Sequence, residues 1–145
     1  MNKFKVIQIV GARPNFIKVA AIQDAFKAHS DVNSMIIHTG QHFDQNMSTV
    51  FFEELNMPKP DYYLGIQSSS HTQLTAEIML SLEPILVKEK PNVLIVVGDV
   101  TSTLASALTA KRLNIPVIHV EAGLRSFDSS MPEEINRVLT DHISD

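Results

Sequence analysis

The chain has 145 residues, of which 44% are hydrophobic and 19% charged, and its net charge of −4 at pH 7 argues against nucleic acid as a partner. It contains no cysteine, which excludes a disulfide framework, a thiolate metal site and a cysteine nucleophile. No apolar run reaches the roughly 18 residues that a membrane span needs, so we expect one soluble domain in the cytoplasm, without a membrane partner.

Apolar segments typical of buried strands alternate along the chain with segments of helical spacing. The predicted strands cover residues 4–10, 35–38, 61–65, 93–97 and 115–120. The predicted helices cover residues 14–29, 47–55, 72–90, 101–113 and 133–143, and Pro84 predicts a kink or a break in the third of them. Because the connections between strands are too long for hairpins, this order predicts an α/β fold with a doubly wound, mostly parallel sheet of the Rossmann type.

Polar side chains follow four of the predicted strands. Arg13 comes after the first strand, Gln41 and His42 after the second, Asp99 after the fourth and Glu121 after the fifth. Parallel strands all end at the same edge of a sheet, and ligands of such sheets bind beyond that edge. The sequence therefore predicts a site there without identifying its chemistry.

The first strand-to-helix turn, residues 11–18, carries two cations, Arg13 and Lys18. A helix N-terminus attracts anions through its free N–H groups, so the turn is a candidate phosphate or carboxylate site. The alternative is a solvated turn with scattered cations, and the residues alone leave both interpretations open.

Metal and dinucleotide sites are not indicated. No predicted helix carries two histidines at the spacing of a metal site, and no carboxylate group has calcium-loop spacing. The turn at residues 11–18 lacks the glycine patterns of dinucleotide-binding and P-loop proteins. We expect neither a metal nor a cofactor.

Four of the polar residues have simpler structural explanations. Asp99 precedes a predicted helix, and its residue type favours a helix cap, although a general acid or base role stays open. The pair Gln41 and His42 fits a hydrogen-bonded structural role as well as a functional one. His119 lies within a buried strand, which favours a hydrogen-bonded core histidine.

Residues 115–137 contain an unusual concentration of charge around one strand-to-helix turn. The pattern Ser130 to Glu133 fits a capping box, and Glu133 is also spaced for an ion pair with Arg137. Glu121 follows a buried strand directly and has Arg125 nearby, a setting typical of functional acids. We therefore favour a functional role for Glu121.

Five motifs together resemble a known family. The resemblance covers the whole chain, and the motifs stand in family order: Gly11–Lys18, Thr39–His42, Gly98–Thr103, His119–Arg125 and Pro132–Arg137. The chain resembles the non-hydrolysing UDP-N-acetylglucosamine 2-epimerases, whose members have two Rossmann-like lobes in the GT-B arrangement. The resemblance implies that residues 1–145 are the N-terminal lobe, truncated before the C-terminal nucleotide-binding lobe.

The resemblance also implies a reaction. Members interconvert UDP-GlcNAc and UDP-ManNAc without a cofactor, by eliminating and re-adding UDP through a 2-acetamidoglucal intermediate. By this resemblance the catalytic carboxylates are Asp99, Glu121 and Glu133. The residues implied at the substrate are Arg13, Lys18, Arg125 and Arg137, and those implied at a regulatory site are Gln41 and His42. A homodimer and a place in cell-surface polysaccharide biosynthesis are likewise implied, while the isolated chain is expected to be inactive.

Two alternatives stay open. The forms Gly-Ala-Arg-Pro and Thr-Gly-Gln-His-Phe-Asp also resemble relatives that act on UDP-2,3-diacetamido-glucuronic acid. A GT-B glycosyltransferase-like lobe that binds a sugar nucleotide shares the fold. Phe43, Asp44 and the region of His71 depart from the family's regulatory site.

Overall fold

The computed structural model describes residues 2–40, 53, 54, 56 and 58–145. Five strands form one sheet: β1 (Phe4–Val10), β2 (Val32–His38), β3 (Tyr62–Tyr63), β4 (Val93–Val97) and β5 (Val117–Val120). The main helices are α1 (Arg13–Lys27), α2 (His71–Glu89), α3 (Thr101–Arg112) and α4 (Pro132–Ile143). Most of the helix predicted over residues 47–55 lies outside the described residues.

The sheet is parallel throughout and has the order β3-β2-β1-β4-β5. The chain begins in the middle of the sheet, builds outward through β2 and β3, and then returns to add β4 and β5 on the other side of β1. This confirms the predicted doubly wound α/β fold. The order reverses between β1 and β4, which is where sheets of this kind bind their ligands.

Helices cover both faces of the sheet, which explains why its central strands are continuously apolar. On one face, α2 and α3 pack Leu82, Leu86 and Ala107 against buried side chains of the strands, including Leu94. On the other face, Phe16 of α1 packs in a separate cluster with residues of β1, β2 and β4. The two layers fix the carboxyl ends of β1 and β4 side by side.

Of the kink or break predicted at Pro84, the break is wrong, because α2 is one helix from His71 to Glu89. A proline removes the hydrogen bond to the carbonyl four residues earlier, here that of Leu80. Leu80 is 72% exposed, so this side of the helix faces solvent, where water can replace the lost donor. The short edge strand predicted within residues 61–65 is confirmed as β3, which covers Tyr62–Tyr63. Among the described helices, none is both long and apolar enough to cross a membrane.

Candidate active site

A groove of about 460 Å³ opens at the carboxyl end of the sheet. Its walls are the start of α2, the turn between β4 and α3, and the first turn of α4. Asp99 and Glu133, two of the predicted site residues, line it together with His71 and Thr101. His71 Nδ1 lies 3.2 Å from the Thr101 hydroxyl, which joins α2 to α3 at the groove.

Asp99 does not cap α3, so the capping interpretation is wrong. The N-cap position is Val100, and no side chain caps the helix. Arg137 of α4 donates instead to Asp99 Oδ2 at 2.5 Å, and the adjacent Asn136 donates to the Asp99 carbonyl at 2.9 Å. The hydrogen bond to Asp99 is the main reason why the pKa of Arg137 is raised. A guanidinium from another helix thus holds the carboxylate.

Glu134 continues this chain of charges toward the loop that precedes α4. Its carboxylate is buried and accepts from Arg137 Nη1 at 2.8 Å. It also accepts from the backbone N–H groups of Ser126 at 2.9 Å and Phe127 at 3.2 Å. These bonds, with that of the Ser126 N–H largest, lower the pKa of Glu134. Glu134 was not among the predicted site residues; its spacing of three from Arg137 was the available signal.

Glu133, by contrast, faces the groove. The predicted capping box is wrong, because the N-cap of α4 is Met131 and the Ser130 hydroxyl donates to Asp128 at 2.6 Å. The predicted ion pair with Arg137 is also wrong, because Arg137 binds Asp99 and Glu134. Among the described residues, no side chain or backbone group hydrogen-bonds the Glu133 carboxylate. An exposed carboxylate without a protein partner is available to a ligand.

Glu121 lies at the end of β5 in an ion pair with Lys18 of α1. Both side chains are about one third exposed, at 36% and 37%. Glu121 has a left-handed φ of 70°, which is uncommon for a residue with a side chain and is concentrated at functional sites. The structure therefore brings together two residues that are 103 positions apart in the chain.

Arg13 is the first residue of α1 and is exposed beyond the carboxyl end of β1. The turn before it is closely packed: a Cβ on Gly11 would come within 2.5 Å of the Ser102 hydroxyl oxygen. Asn15 accepts from the Ala12 N–H at 3.2 Å and donates to the Val97 carbonyl at 3.3 Å. This buried amide, which the sequence analysis missed, ties the α1 turn to the end of β4.

Arg125 belongs to a second cluster, beside the first. Its Nη1 donates to Asp141 Oδ2 at 2.7 Å, and the Gly123 N–H donates to the same oxygen at 2.9 Å. The other oxygen of Asp141 lies 2.6 Å from His119 Nδ1. The predicted buried and hydrogen-bonded histidine is confirmed, since the His119 side chain is 1% exposed. The sequence analysis did not identify Asp141.

The remaining predictions concern residues 41 and 42 and metal ions. Gln41 and His42 lie outside the described residues, although Gly40 before them lines the groove. In the part of the chain that the structure describes, no group of three or more histidine or acidic side chains is arranged to hold a metal ion.

Several known proteins are similar in sequence to this chain. The family described as UDP-N-acetylglucosamine 2-epimerase matches residues 24–145. A UDP-2,3-diacetamido-2,3-dideoxy-D-glucuronate 2-epimerase of Pseudomonas aeruginosa is 51% identical over 141 residues, which cover 97% of this chain and 40% of the relative. A UDP-N-acetylglucosamine 2-epimerase of Methanocaldococcus jannaschii is 52% identical over 140 residues, which cover 97% of this chain and 38% of the relative.

Solved structures agree with the sequence matches. The crystal structure of the Methanocaldococcus jannaschii UDP-GlcNAc 2-epimerase in complex with UDP-GlcNAc and UDP superposes with a TM-score of 0.93, at 52% identity. The match covers 97% of this chain and 38% of that chain. The Neisseria meningitidis enzyme bound to UDP-GlcNAc superposes with a TM-score of 0.89, at 37% identity over 97% of this chain and 38% of its own. The structural neighbours are GT-B epimerases, and this chain spans about two fifths of the length of its relatives.

Proposed function

The chain belongs to the UDP-N-acetylglucosamine 2-epimerase family, and we propose that it is the N-terminal lobe of an enzyme that inverts C2 of the hexosamine in a UDP-sugar. The observation that carries the proposal is the placement of Asp99 and Glu133 on one groove at the carboxyl end of the sheet. Glu121 ends the neighbouring strand, where the Gly98 N–H donates to the Val120 carbonyl at 3.1 Å.

The proposed reaction needs groups that move a proton at C2. A carboxylate takes the C2 proton while the bond between C1 and the UDP oxygen breaks, which leaves a 2-acetamidoglucal and UDP. An acid then returns a proton to the opposite face of C2 as UDP adds back to C1. Positioned carboxylates commonly contribute such acid and base steps. We propose Asp99, Glu121 and Glu133 for them, and Glu133 is the member without a hydrogen-bond partner among the described residues.

The leaving diphosphate needs positive charge. Arg13 and Lys18 lie on the first turns of α1, whose N-terminus adds its own free N–H groups. Lys18 is paired with Glu121 in the structure, so we propose that the diphosphate competes with this carboxylate for the ammonium group. Cations at a departing diphosphate stabilise the charge that develops there.

Two substrates fit the proposal. The Methanocaldococcus jannaschii relative supports UDP-GlcNAc, and the Pseudomonas aeruginosa relative supports UDP-2,3-diacetamido-glucuronic acid. These sugars differ at C3 and C6, but the inverted carbon and the departing UDP are the same. We propose UDP-GlcNAc first and the diacetamido-uronic acid as the second candidate.

The test uses the full-length enzyme in D2O with each UDP-sugar in turn. With one of the two UDP-sugars, we expect NMR to show deuterium at C2 and formation of the C2-inverted product. A Glu133→Gln variant is expected to lose both signals, whereas Glu83→Gln, the same change at an exposed position on α2, keeps them. Absence of exchange and of product with both sugars contradicts the proposal.

The isolated 145-residue chain tests the proposed division into lobes. It spans about two fifths of its relatives, so we expect it to bind UDP-sugars weakly and not to turn them over. Titration calorimetry that finds micromolar binding by this chain would argue against a nucleotide site in a second lobe. Light scattering on the full-length protein tests the proposed homodimer.

A further inference from the structure

The imidazole of His119 lies between two oxygen acceptors. It projects from β5, and its side chain is 1% exposed. Nδ1 lies 2.6 Å from Asp141 Oδ1 on α4, and Nε2 lies 2.6 Å from the carbonyl oxygen of Gly98 at the end of β4. One ring therefore bridges three elements that surround the candidate active site.

The two acceptors define the protonation of the ring. A neutral imidazole has one N–H group and one lone pair, so one nitrogen would point its lone pair at an oxygen. The Gly98 carbonyl can only accept, which requires a proton on Nε2. An ionised Asp141 also only accepts, which requires a proton on Nδ1. Only the doubly protonated, positively charged ring donates to both.

Asp141 has the partners of an ionised carboxylate. Its second oxygen accepts from the Gly123 N–H at 2.9 Å and from Arg125 Nη1 at 2.7 Å. Burial, the largest effect, raises its pKa, but Arg125, the Gly123 N–H and His119 together lower the pKa below its usual value. The carboxylate thereby holds Gly123 and Arg125, two and four positions after Glu121.

The Gly98 carbonyl belongs to the peptide group that joins Gly98 to Asp99. Gly98 has a left-handed φ of 76°, so this peptide group is turned in a way that ordinary strand geometry does not impose. The hydrogen bond from His119 opposes rotation of this peptide group, which directly precedes the residue whose side chain binds Arg137.

We propose that His119 and Asp141 form a positioning pair in which a charged imidazole holds the peptide group before Asp99 and its partner carboxylate holds the turn after Glu121. Neither residue touches the substrate groove; each acts through the acids it places. The catalytic consequence rests on the proposed epimerase function, whereas the charge of the ring does not.

The charge is tested first, by NMR on the full-length enzyme with ¹⁵N-labelled histidine. The His119 signals are assigned by their loss in a His119→Gln variant. At pH 7.5 we expect protons on both ring nitrogens, and in an Asp141→Asn variant we expect a ring with one proton. A singly protonated ring in the unmodified enzyme overturns the proposal, whether or not the enzyme is an epimerase.

The positioning role is tested by C2 exchange kinetics. We expect His119→Phe to lower kcat about 100-fold with KM changed little, because a catalytic group displaced by about 1 Å costs about that much. His119→Gln keeps one donor, so we expect its kcat to be about tenfold higher than that of His119→Phe. The control is His29→Phe, at an exposed position after α1.

Asp141→Asn keeps the size of the side chain and provides a second variant if His119→Phe does not fold. It is expected to lower kcat about tenfold with KM changed little. An unchanged kcat in Asp141→Asn, or a loss that appears only in KM, contradicts the positioning role. Absence of exchange in the unmodified enzyme instead contradicts the proposed function and leaves the NMR result to decide the charge.

Discussion

The two ends of the sheet use their carboxylates differently. At the amino end, Glu89 accepts from Lys5 Nζ at 3.0 Å and from the Tyr62 hydroxyl at 2.6 Å, so each of its oxygens has a donor. At the carboxyl end, Glu133 faces a groove without a partner among the described residues, and Asp99 beside it is held at one oxygen. A carboxylate whose oxygens are all bound stabilises the fold, whereas one with a free oxygen can bind or exchange a proton with a ligand.

Two adjacent residues show the same contrast within one helical turn. Glu134 is buried and accepts three hydrogen bonds, while Glu133 is exposed to the groove. Consecutive residues on a helix point about 100° apart, so one can support the loop while its neighbour faces the ligand. The predictions below separate these two roles, from the largest expected effect to the smallest.

The largest effect is expected at Glu133. Changing Glu133 to Gln removes an acid or base group and should lower the rate of C2 exchange about 1000-fold, since such groups contribute about 10²–10⁴-fold. The melting temperature should not fall, because no described residue depends on this carboxylate. Deuterium exchange into the UDP-sugar in D2O measures the rate, and calorimetry measures the melting temperature. A rate equal to that of the Glu83→Gln control would remove Glu133 from the proposed mechanism.

A Glu134→Gln change should affect both stability and rate. It removes the negative charge beside Arg137 and weakens the support of the loop at Ser126 and Phe127. We expect the melting temperature to fall by about 5 °C and kcat to fall about tenfold, because Arg137 then holds Asp99 in a changed position. Equal falls in Glu133→Gln and Glu134→Gln would show that the two acids do not have separate roles.

A Glu89→Gln change should affect stability alone. The hydrogen bond from Tyr62, followed by that from Lys5, lowers the pKa of Glu89, so the folded state prefers its ionised form. We expect a lower melting temperature and an unchanged rate of C2 exchange. A loss of rate without a loss of stability would contradict the purely structural role of Glu89.

Lowering the pH should reduce the stability of the fold in two steps, first through His38 at the carboxyl end of the sheet and then through Glu89 at the amino end. Burial lowers the pKa of His38, at the carboxyl end of β2, to about 4 from 6.5. Between these values the unfolded chain takes up a proton that the folded chain does not, so stability falls as pH drops from about 6.5 to 4. Glu89, whose folded pKa is lowered, contributes stability above its ordinary pKa of about 4.3 and loses it only at lower pH.

Melting temperatures from pH 7 to pH 3 measure this order. His38→Gln is expected to flatten the plot of melting temperature against pH above pH 4. Glu89→Gln is expected to flatten the same plot below pH 4. If His38→Gln leaves the upper part of the curve unchanged, the assignment of that slope to His38 is wrong.

The fold was largely predictable because its determinants are local. Buried parallel strands carry continuous apolar runs, and Gly and Pro mark the turns between them, so the strands and the doubly wound order follow from pattern. Pro84 is the exception, since a proline breaks a helix or not according to where the freed carbonyl lies. That depends on packing, which a linear pattern does not contain.

The candidate site was predictable only in part. The sequence by itself determined that polar residues end neighbouring strands, and hence where a site lies and which acids are candidates. Only the tertiary structure decided their partners: Arg137 binds Asp99 and Glu134 rather than Glu133, and Lys18 meets Glu121 across 103 positions. The reason is physical. Strand and turn preferences act between near neighbours in the chain, whereas a side chain's ion pairs depend on which elements the whole fold brings within hydrogen-bonding distance.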